Sequence, residues 1–307
     1  MASFVVQKTI TIGASAQEVF DKISNFNHWI MWSPWHILEP DSSWQISPDG
    51  QKYAWEGKRM GSGNMRITES RPNTYLGYTL QFLKPWKSQS HDYFELKEVE
   101  GGTQLTWNMK SKVPFFLFFF KKFMVAAIGM DFVRGLHLLK DYIEQGKVPS
   151  QLEFNGITTV PGFAYIGKKS TCTLPQISSI MERNYQELGA YLAAHEGLMA
   201  GSPITFYPKM EIVSQKVTFI AAFPVTDIPV ELPEGFIGGR IPTLQTWVVT
   251  HRGAYRHVSN GWAALSALQR SRVAKFSKKS WPFERYLNNP GDTPEHELIT
   301  EVHFPLQ

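Results

Sequence analysis

The second half of the chain shows the same order of elements twice, and each copy ends in a Phe-Pro pair. Phe223-Pro224 closes the first copy, and Phe304-Pro305 closes the second. In both copies a strand-like segment is followed by a helical segment and then by two more strand-like segments. Two consecutive β-α-β-β units of this kind predict an α+β domain built by internal duplication.

The two copies can be placed by their hydrophobic periodicity. In the first copy, residues 154–166, 203–207 and 217–223 are predicted strands, and residues 174–195 are a predicted helix. In the second copy, residues 244–251, 283–287 and 298–304 are predicted strands, and Val258, Trp262, Leu265 and Leu268 mark one face of a helix. Apolar residues at helical spacing give each helix a single apolar face.

The last two strands form a predicted β-hairpin around an acidic residue. Their connection, Asn-Asn-Pro-Gly-Asp-Thr-Pro, consists of residues that favour turns. Strand alternation puts Glu301 on the same face as Ile299 and His303. Alignment of the two Phe-Pro pairs places Ile220 opposite Glu301, so a pseudo-symmetric pocket would be polar on one wall only. A buried carboxylate there would need a partner.

The size and composition of the chain favour a globular protein with two domains. It has 307 residues, of which 43% are hydrophobic and 19% are charged, and a formal net charge of +4. Aromatic residues make up 14%, a surplus that suits cavities for apolar or flat ligands. The basic residues are scattered and no helix-turn-helix pattern is present, so we expect no direct nucleic-acid binding.

The single cysteine, Cys172, excludes an internal disulfide and a multi-cysteine metal site. A reducing compartment is the simplest interpretation. The first residues lack the basic segment and apolar core of a signal peptide and already have the pattern of a strand. We therefore expect a cytoplasmic protein without a transmembrane segment.

The first half has the pattern of a long antiparallel meander followed by a helix. Residues 4–12 alternate as a strand, and Ser15 with Glu18 forms a capping box at the start of a short helix. Alternating segments separated by turn formers continue through residues 44–110. A helix that ends near Gly146 is the expected cover for one face of this sheet. Three tryptophans between His28 and His36 either seal the core or line a cavity mouth.

An apolar run at residues 113–130 resembles a membrane span in composition. Lys121 and Lys122 divide it into pieces shorter than the ~20 apolar residues that a spanning helix needs. We interpret the run as a lid over a cavity. Contact with a membrane surface and simple core packing are the alternatives.

The first half resembles the START-like (SRPBCC) helix-grip fold, in particular its polyketide cyclase-type group. The segments that carry the resemblance are Y-A-W-E-G at 53–57, G-S-G-N-M-R-I-T-E at 61–69, G-T-Q-L-T-W-N-M at 102–109 and G-L-H-L-L-K at 135–140. The resemblance implies a domain at residues 1–147 with a cavity for a hydrophobic molecule between sheet and helix. It implies no catalytic residue that can be carried over.

The second half resembles the GyrI-like family, the effector-binding domain of AraC-type and multidrug-sensing regulators. The resemblance rests on T-W-V-V-T-H-R-G-A-Y at 246–255 together with the terminal hairpin at 281–306. It implies a domain at residues 152–307, after a short linker at residues 146–150.

In that family an acidic residue on the last strand lies in an aromatic-lined cleft and receives cationic or polar ligands. Glu301 occupies the matching position, and the resemblance implies that Tyr255, Trp247 and Tyr286 line the cleft. Glu284, in F-E-R-Y-L, is the usual acidic residue of the family motif. Alternation puts it on the face opposite Phe283 and Arg285 and on the same face as Tyr286, which leaves its orientation open.

Both resemblances lead to one functional prediction. We expect a small-molecule-binding protein that senses or sequesters hydrophobic and amphipathic or cationic ligands, without cofactor, metal or catalytic residues. The sequence has no Ser-His-Asp pattern, phosphate loop or metal-ligand cluster. The alternatives are a hydrolase or isomerase that acts on a reactive small molecule in the same cleft, and a module that binds a protein partner.

Overall fold

Alternating side chains in the first half assemble into one antiparallel sheet. In this computed structural model, residues 2–85, 87–113 and 119–307 are described, and the chain divides into two compact units, Met1–Pro149 and Ser150–Gln307. The first unit has strands β1 Ala2–Ile12, β2 Ser43–Ile46, β3 Lys52–Gly57, β4 Gly61–Arg71, β5 Tyr75–Lys84, β6 Ser88–Val99 and β7 Gly102–Val113. Their order across the sheet is β1-β7-β6-β5-β4-β3-β2.

In the described part of this unit, three α-helices accompany the sheet. They are α1 Ala16–Ile23, α2 Phe26–Trp32 and α3 Lys121–Gln145. The predicted capping box is present at α1, because the Ser15 hydroxyl accepts from the Glu18 amide and the Glu18 carboxylate accepts from the Ser15 amide. Helix α3 ends at Gly146 in the left-handed conformation, with a φ of 71°. The predicted sheet with a long terminal helix is thereby confirmed.

Aromatic rings fill the layer between this sheet and its helices. Trp107 of β7 is fully buried and stacks on Phe132 of α3 with a centroid distance of 4.0 Å. Trp29 and Trp32 of α2 contact the same indole edge-to-face at 5.9 Å. Both are at most 5% exposed, so two of the three clustered tryptophans seal the core.

The predicted lid falls partly outside the described residues, at positions 114–118. The described part that follows starts just before α3 and exposes Phe119, Phe120 and Phe123 by 64%, 49% and 49%. In residues 2–85, 87–113 and 119–307, no helix has the length and apolarity required to cross a membrane.

The second unit is built on an eight-stranded antiparallel sheet. Its strands are β8 Ser150–Val160, β9 Phe163–Thr173, β10 Ile204–Glu211, β11 Lys216–Val225, β12 Ile237–Ile241, β13 Leu244–Gly253, β14 Phe283–Tyr286 and β15 Ile299–Pro305. Helices α4 Ile177–Ala193 and α5 Ser259–Arg270 complete the two copies. The strand order is β12-β9-β11-β10-β14-β15-β13-β8. The predicted duplicated β-α-β-β arrangement is confirmed.

Each copy has one strand more than the sequence predicted, β8 in the first copy and β12 in the second. Each of these strands pairs with a strand of the other copy. The predicted strand at 154–166 is in fact the end of β8 and the start of β9, because Pro161-Gly162 separates them. Strand β8 pairs with β13 of the second copy, whereas β12 pairs with β9 of the first. The outermost strand beside each copy therefore comes from the other copy.

Strands β10 and β14 meet at the centre, where Thr205 pairs with Glu284. Paired residues in an antiparallel ladder point to the same face. Glu284 and Tyr286 pair with Val302 and Thr300 of β15, and Val302 lies under α5. The helices therefore cover the face that carries Glu284.

The close approach of α5 to the sheet can be tested at Gly261. A Cβ atom there would lie 2.9 Å from Cγ2 of Val302. Overpacking costs about 1–3 kcal/mol and the gain in helix propensity offsets up to about 1 kcal/mol. We therefore expect Gly261→Ala to lower the free energy of unfolding in urea by about 1 kcal/mol.

The matched control is Gly189 on α4, where an added Cβ meets nothing within 4 Å. Gly189→Ala should raise the free energy of unfolding by about 0.5–1 kcal/mol, because only the entropy of the unfolded chain changes. Stabilisation by both substitutions would contradict the tight α5 contact.

Candidate functional site

A buried carboxylate lies at the centre of the C-terminal sheet, beneath its helices. Glu284 of β14 is only 3% exposed. Its Oε2 accepts hydrogen bonds from the hydroxyls of Tyr207 at 2.8 Å and Tyr286 at 2.5 Å, and its Oε1 accepts one from the indole N–H of Trp262 at 2.5 Å. Each carboxylate oxygen can accept two hydrogen bonds, so Oε1 can accept one more donor.

When ionised, this carboxyl group has no counter-charge among the described residues. Among the residues that the structure describes, no lysine, arginine or histidine forms an ion pair with Glu284. Burial raises the pKa of Glu284, and the hydrogen bonds from Tyr286, Trp262 and Tyr207 oppose that rise. The site is therefore electrostatically incomplete, and an incoming cation or hydrogen-bond donor would complete it.

Aromatic rings surround the carboxylate on several sides. Tyr255 lies 5.5 Å from Tyr286 between ring centroids, and Tyr185 of α4 lies 6.1 Å from the same ring, edge-to-face. Tyr207 and Trp262 are 4.8 Å apart, also edge-to-face. Because tyrosine and tryptophan faces carry negative quadrupole charge, such a set of rings attracts cations.

These tyrosines remain protonated at neutral pH. Burial and then the charge of Glu284 raise the pKa of Tyr255 to about 12. Burial also raises the pKa of Tyr207 and of Tyr286 well above the usual value. They therefore act as hydrogen-bond donors at neutral pH.

The internal duplication explains why the site has a single charge. Thr205 of β10 is the symmetry counterpart of Glu284, and each is followed two residues later by a tyrosine, Tyr207 or Tyr286. Thr205 is fully buried and lies 2.9 Å from the Tyr185 hydroxyl, within hydrogen-bonding distance. One half thus contributes a neutral hydroxyl where the other contributes a carboxylate. A ligand that contacts both residues would be oriented by this difference.

The structure places two of the four predicted site residues beside Glu284. Tyr286 donates directly to the carboxylate, and Tyr255 packs against Tyr286. Trp247 lies on β13 and pairs in register with Phe304 and with Ile157. It shares the helix-covered face but is two strands away from β14.

Glu301 lies on the opposite face of the sheet. It pairs in register with Arg285, and its Oε2 is 3.7 Å from Nη1 of that residue and 3.1 Å from Nε2 of His303. The hydrogen bond with His303 is the main cause of the lowered pKa of Glu301. This carboxylate therefore already has partners within the protein. Its role in ligand binding stays a prediction.

Sequence reasoning did not assign Tyr207, Trp262 or Tyr185 to the site. The two helix residues, Tyr185 and Trp262, lie on the predicted apolar stripes and were interpreted as core positions. A signal was nevertheless present: Thr205-Phe-Tyr and Glu284-Arg-Tyr stand at equivalent positions in the two copies. When these inner strands are aligned with each other, instead of the Phe-Pro pairs, Thr205 and Glu284 stand at equivalent positions at the centre of the sheet.

The described ranges contain no group of three or more His, Cys, Asp or Glu side chains placed to hold a metal ion. Cys172 is buried on β9, and burial raises the pKa of its thiol. A raised thiol pKa disfavours the reactive thiolate.

The two halves match two different protein families. Residues 3–144 match the family described as polyketide cyclase/dehydrase and lipid transport, and residues 156–307 match the GyrI-like small molecule binding domain. The chain is therefore a two-domain protein that joins a polyketide cyclase-type domain to a GyrI-like small-molecule-binding domain. A comparison with curated protein sequences finds no match.

Solved structures that align with the chain include the crystal structure of the EcmrR C-terminal domain. It is 19% identical, covers 52% of this chain and 98% of its own, and has a TM-score of 0.43. SAV2435 bound to tetraphenylphosphonium is 18% identical over 50% of this chain and 94% of its own, with a TM-score of 0.41. The Aha1 dimer from Colwellia psychrerythraea is 20% identical over 47% of this chain and 98% of its own, with a TM-score of 0.36.

Proposed function

We propose that the C-terminal domain binds a lipophilic or amphipathic cation in the cleft between α4 and α5, and that the protein acts as a cytoplasmic sensor or sequestering protein for such molecules. The observation that supports this most directly is Glu284, a buried carboxylate that has three hydrogen-bond donors but no cationic partner among the described residues. A buried charge without a counter-ion is costly, and a bound cation offsets that cost.

The surroundings of Glu284 favour an organic cation over a small hydrated ion. Five aromatic side chains surround the carboxyl group with apolar ring surface, namely Tyr185, Tyr207, Tyr255, Trp262 and Tyr286. A desolvated cation over such rings gains about 2 kcal/mol per favourable contact. An apolar cation would add the burial of its own hydrocarbon surface.

The same carboxyl group supports a second candidate, a hydrolase or isomerase acting on a reactive small molecule. Burial raises its pKa, which favours a carboxyl group that can donate as well as accept a proton, and Tyr207 and Tyr286 would hold it in place. Turnover of an electrophilic probe that stops in Glu284→Gln would favour this candidate. A probe that is recovered unchanged after binding would favour the sensor.

The proposal can be tested with two ligands of the same shape and opposite charge, tetraphenylphosphonium and tetraphenylborate. If Glu284 determines selectivity, the phosphonium should bind about hundredfold or more tightly than the borate, because the carboxylate attracts one ion and repels the other. Isothermal titration calorimetry on the full chain measures both affinities. Equal affinities, or tighter binding of the borate, would overturn the proposal.

A further inference from the structure

A row of polar and basic side chains crosses the outer face of the N-terminal sheet, away from its helices. Each side chain lies opposite the next in the strand register from β3 to β7, in the order Lys52, Arg66, Thr79, His91 and Lys110. Paired residues in an antiparallel ladder point to the same face. Met65, beside Arg66 in sequence, and Leu80, beside Thr79, are buried in the apolar layer. The row therefore faces outward.

The row contains no carboxylate. Lys52 and Arg66 are directly opposed, and two like charges in that position destabilise a sheet. Asp49 compensates Lys52 in part, since hydrogen bonds from Ser47 and Gln51 and then the charge of Lys52 lower the pKa of Asp49. Arg66 forms no ion pair with any residue in the described ranges. Its charge is therefore available to an anion from outside the chain.

Exposed carboxylates on this face have other partners or lie farther along the sheet. Glu56 of β3 accepts a hydrogen bond from Lys84 at 2.8 Å, and Glu69 of β4 is 3.3 Å from Nε of Arg71. Glu95 of β6 lies four residues beyond the row, roughly 13 Å along the strand. Within the described residues, none of these carboxylates forms an ion pair with a member of the row.

A groove lies on the same face, where β4 and β5 pair. It has a volume of about 500 Å³ and is lined by Asn64, Arg66, Ile67, Thr68, Thr79 and Gln81. The pairing of β4 with β5 is irregular just before Gly63 and just after Ile67, so the groove lies between two irregularities of the strand. Bulges bend a strand and are common beside active sites. The lining contains one cation and no acidic side chain.

The polar side chains of the groove have unused hydrogen-bond donors. Asn64 and Gln81 lie opposite each other in register, next to the pair of Arg66 and Thr79, and all four reach solvent. In the part of the chain that the structure describes, their side chains form no hydrogen bond with the protein. A guanidinium offers paired N–H donors that match two oxygens of a phosphate, and the amides and the hydroxyl can donate to the remaining one. A phosphate group has three acceptor oxygens and therefore uses more of these donors than a carboxylate does.

We propose that this groove binds the phosphate or diphosphate group of a small molecule. Arg66 makes the bidentate contact, and Lys52 supplies a second positive charge from the neighbouring strand. The two amides and the hydroxyl of the lining donate the remaining hydrogen bonds. The site is independent of the C-terminal cleft, whose buried carboxylate would repel the same anion.

Inorganic pyrophosphate is the probe, since it carries the phosphate groups without an organic body. Isothermal titration calorimetry on the full chain at low ionic strength should show binding that weakens as salt is added, because salt screens exposed charges. Arg66→Gln should lower the affinity about tenfold or more, since hydrogen bonds between charged groups are the strong ones. Arg66 is exposed, so we expect the variant to fold.

The matched control is Arg71→Gln, which removes the same charge from the same strand. Arg71 is paired with Glu69 and is not part of the groove lining. Its substitution should change the affinity less than about twofold. Equal losses in the two variants would show that pyrophosphate responds only to the net charge of the protein, and would overturn the proposal. Absence of binding to the wild type would overturn it without reference to any variant.

The phosphate group can belong to a free molecule or to a lipid head group, and sedimentation with vesicles of phosphatidylcholine and phosphatidic acid distinguishes the two sources. If the wild type sediments with the vesicles and Arg66→Gln does not, the groove binds a lipid head group. If pyrophosphate binds and the protein stays in solution, the ligand is a free molecule. Both results support the groove, and neither depends on whether tetraphenylphosphonium binds at Glu284.

Discussion

Glu284→Gln is expected to lower the affinity for tetraphenylphosphonium by about hundredfold and to leave the affinity for tetraphenylborate unchanged or higher. Glutamine has nearly the same shape as glutamate and its side-chain oxygen can still accept a hydrogen bond from Trp262. The change therefore removes the charge and one acceptor oxygen while the aromatic walls stay in place. Isothermal titration calorimetry on the wild type and the variant gives the difference directly.

The matched control is Glu301→Gln. Both glutamates lie in the same terminal hairpin, but Glu301 is on the other face and is paired with Arg285 and His303. Its substitution should change the affinity less than about twofold, because its charge is already balanced. Loss of binding in Glu301→Gln with full binding in Glu284→Gln would support the sequence-based assignment of Glu301 and contradict ours.

The charge of Glu284 also predicts how binding depends on pH. Its pKa in the folded protein is raised by burial. Above that pKa the carboxyl is ionised and attracts a cation, and as the pH falls through it the group becomes neutral. Tetraphenylphosphonium does not titrate, so its affinity should be greatest at high pH and fall on acidification in the wild type. The same pH series on Glu284→Gln should be flat.

Trp107→Ala is expected to lower the free energy of unfolding of the N-terminal unit by about 3–5 kcal/mol. The indole is fully buried, stacks on Phe132 and donates to the Tyr78 hydroxyl at 2.9 Å. Its removal leaves a cavity among rings and an unpaired buried hydroxyl. Urea unfolding followed by circular dichroism measures the loss.

Trp44→Ala serves as its control, since Trp44 is 40% exposed at the edge strand β2. It should cost less than about 1 kcal/mol. Comparable losses in the two variants would show that the layer around Trp107 does not carry the stability of this unit. If Trp107→Ala lowers the free energy of unfolding only slightly, the surrounding rings must relax to fill the space.

Much of the fold follows from patterns that are local in the sequence. Alternation and turn residues predict the strands of both sheets, and the capping box at Ser15 and the stop at Gly146 predict two helix ends. Their causes lie within a few residues of each other, so they are readable without tertiary structure. The duplicated order of elements in the second half is readable for the same reason.

The exchange of β8 and β12 between the two copies was not predicted. It depends on pairing between residues far apart in the chain, such as Val248 with Gly156 and Ile166 with Gly238. Alternation describes the two faces of a strand but carries no information on which strand will lie beside it. The tertiary structure therefore decided which strands, β12 and β8, lie at the two edges of the sheet.

The candidate site shows the same division between local and tertiary information. The sequence by itself determined that Glu284 and Tyr286 share one face of their strand and that Glu301 and His303 share one face of theirs. The register between the two strands, which pairs Glu301 with Arg285, came from the structure. Only the tertiary structure decided which face α5 covers, and hence which carboxylate is buried among aromatic rings. The physical reason is that a strand has two chemically similar faces, and the burial of either one is settled by the packing of distant helices.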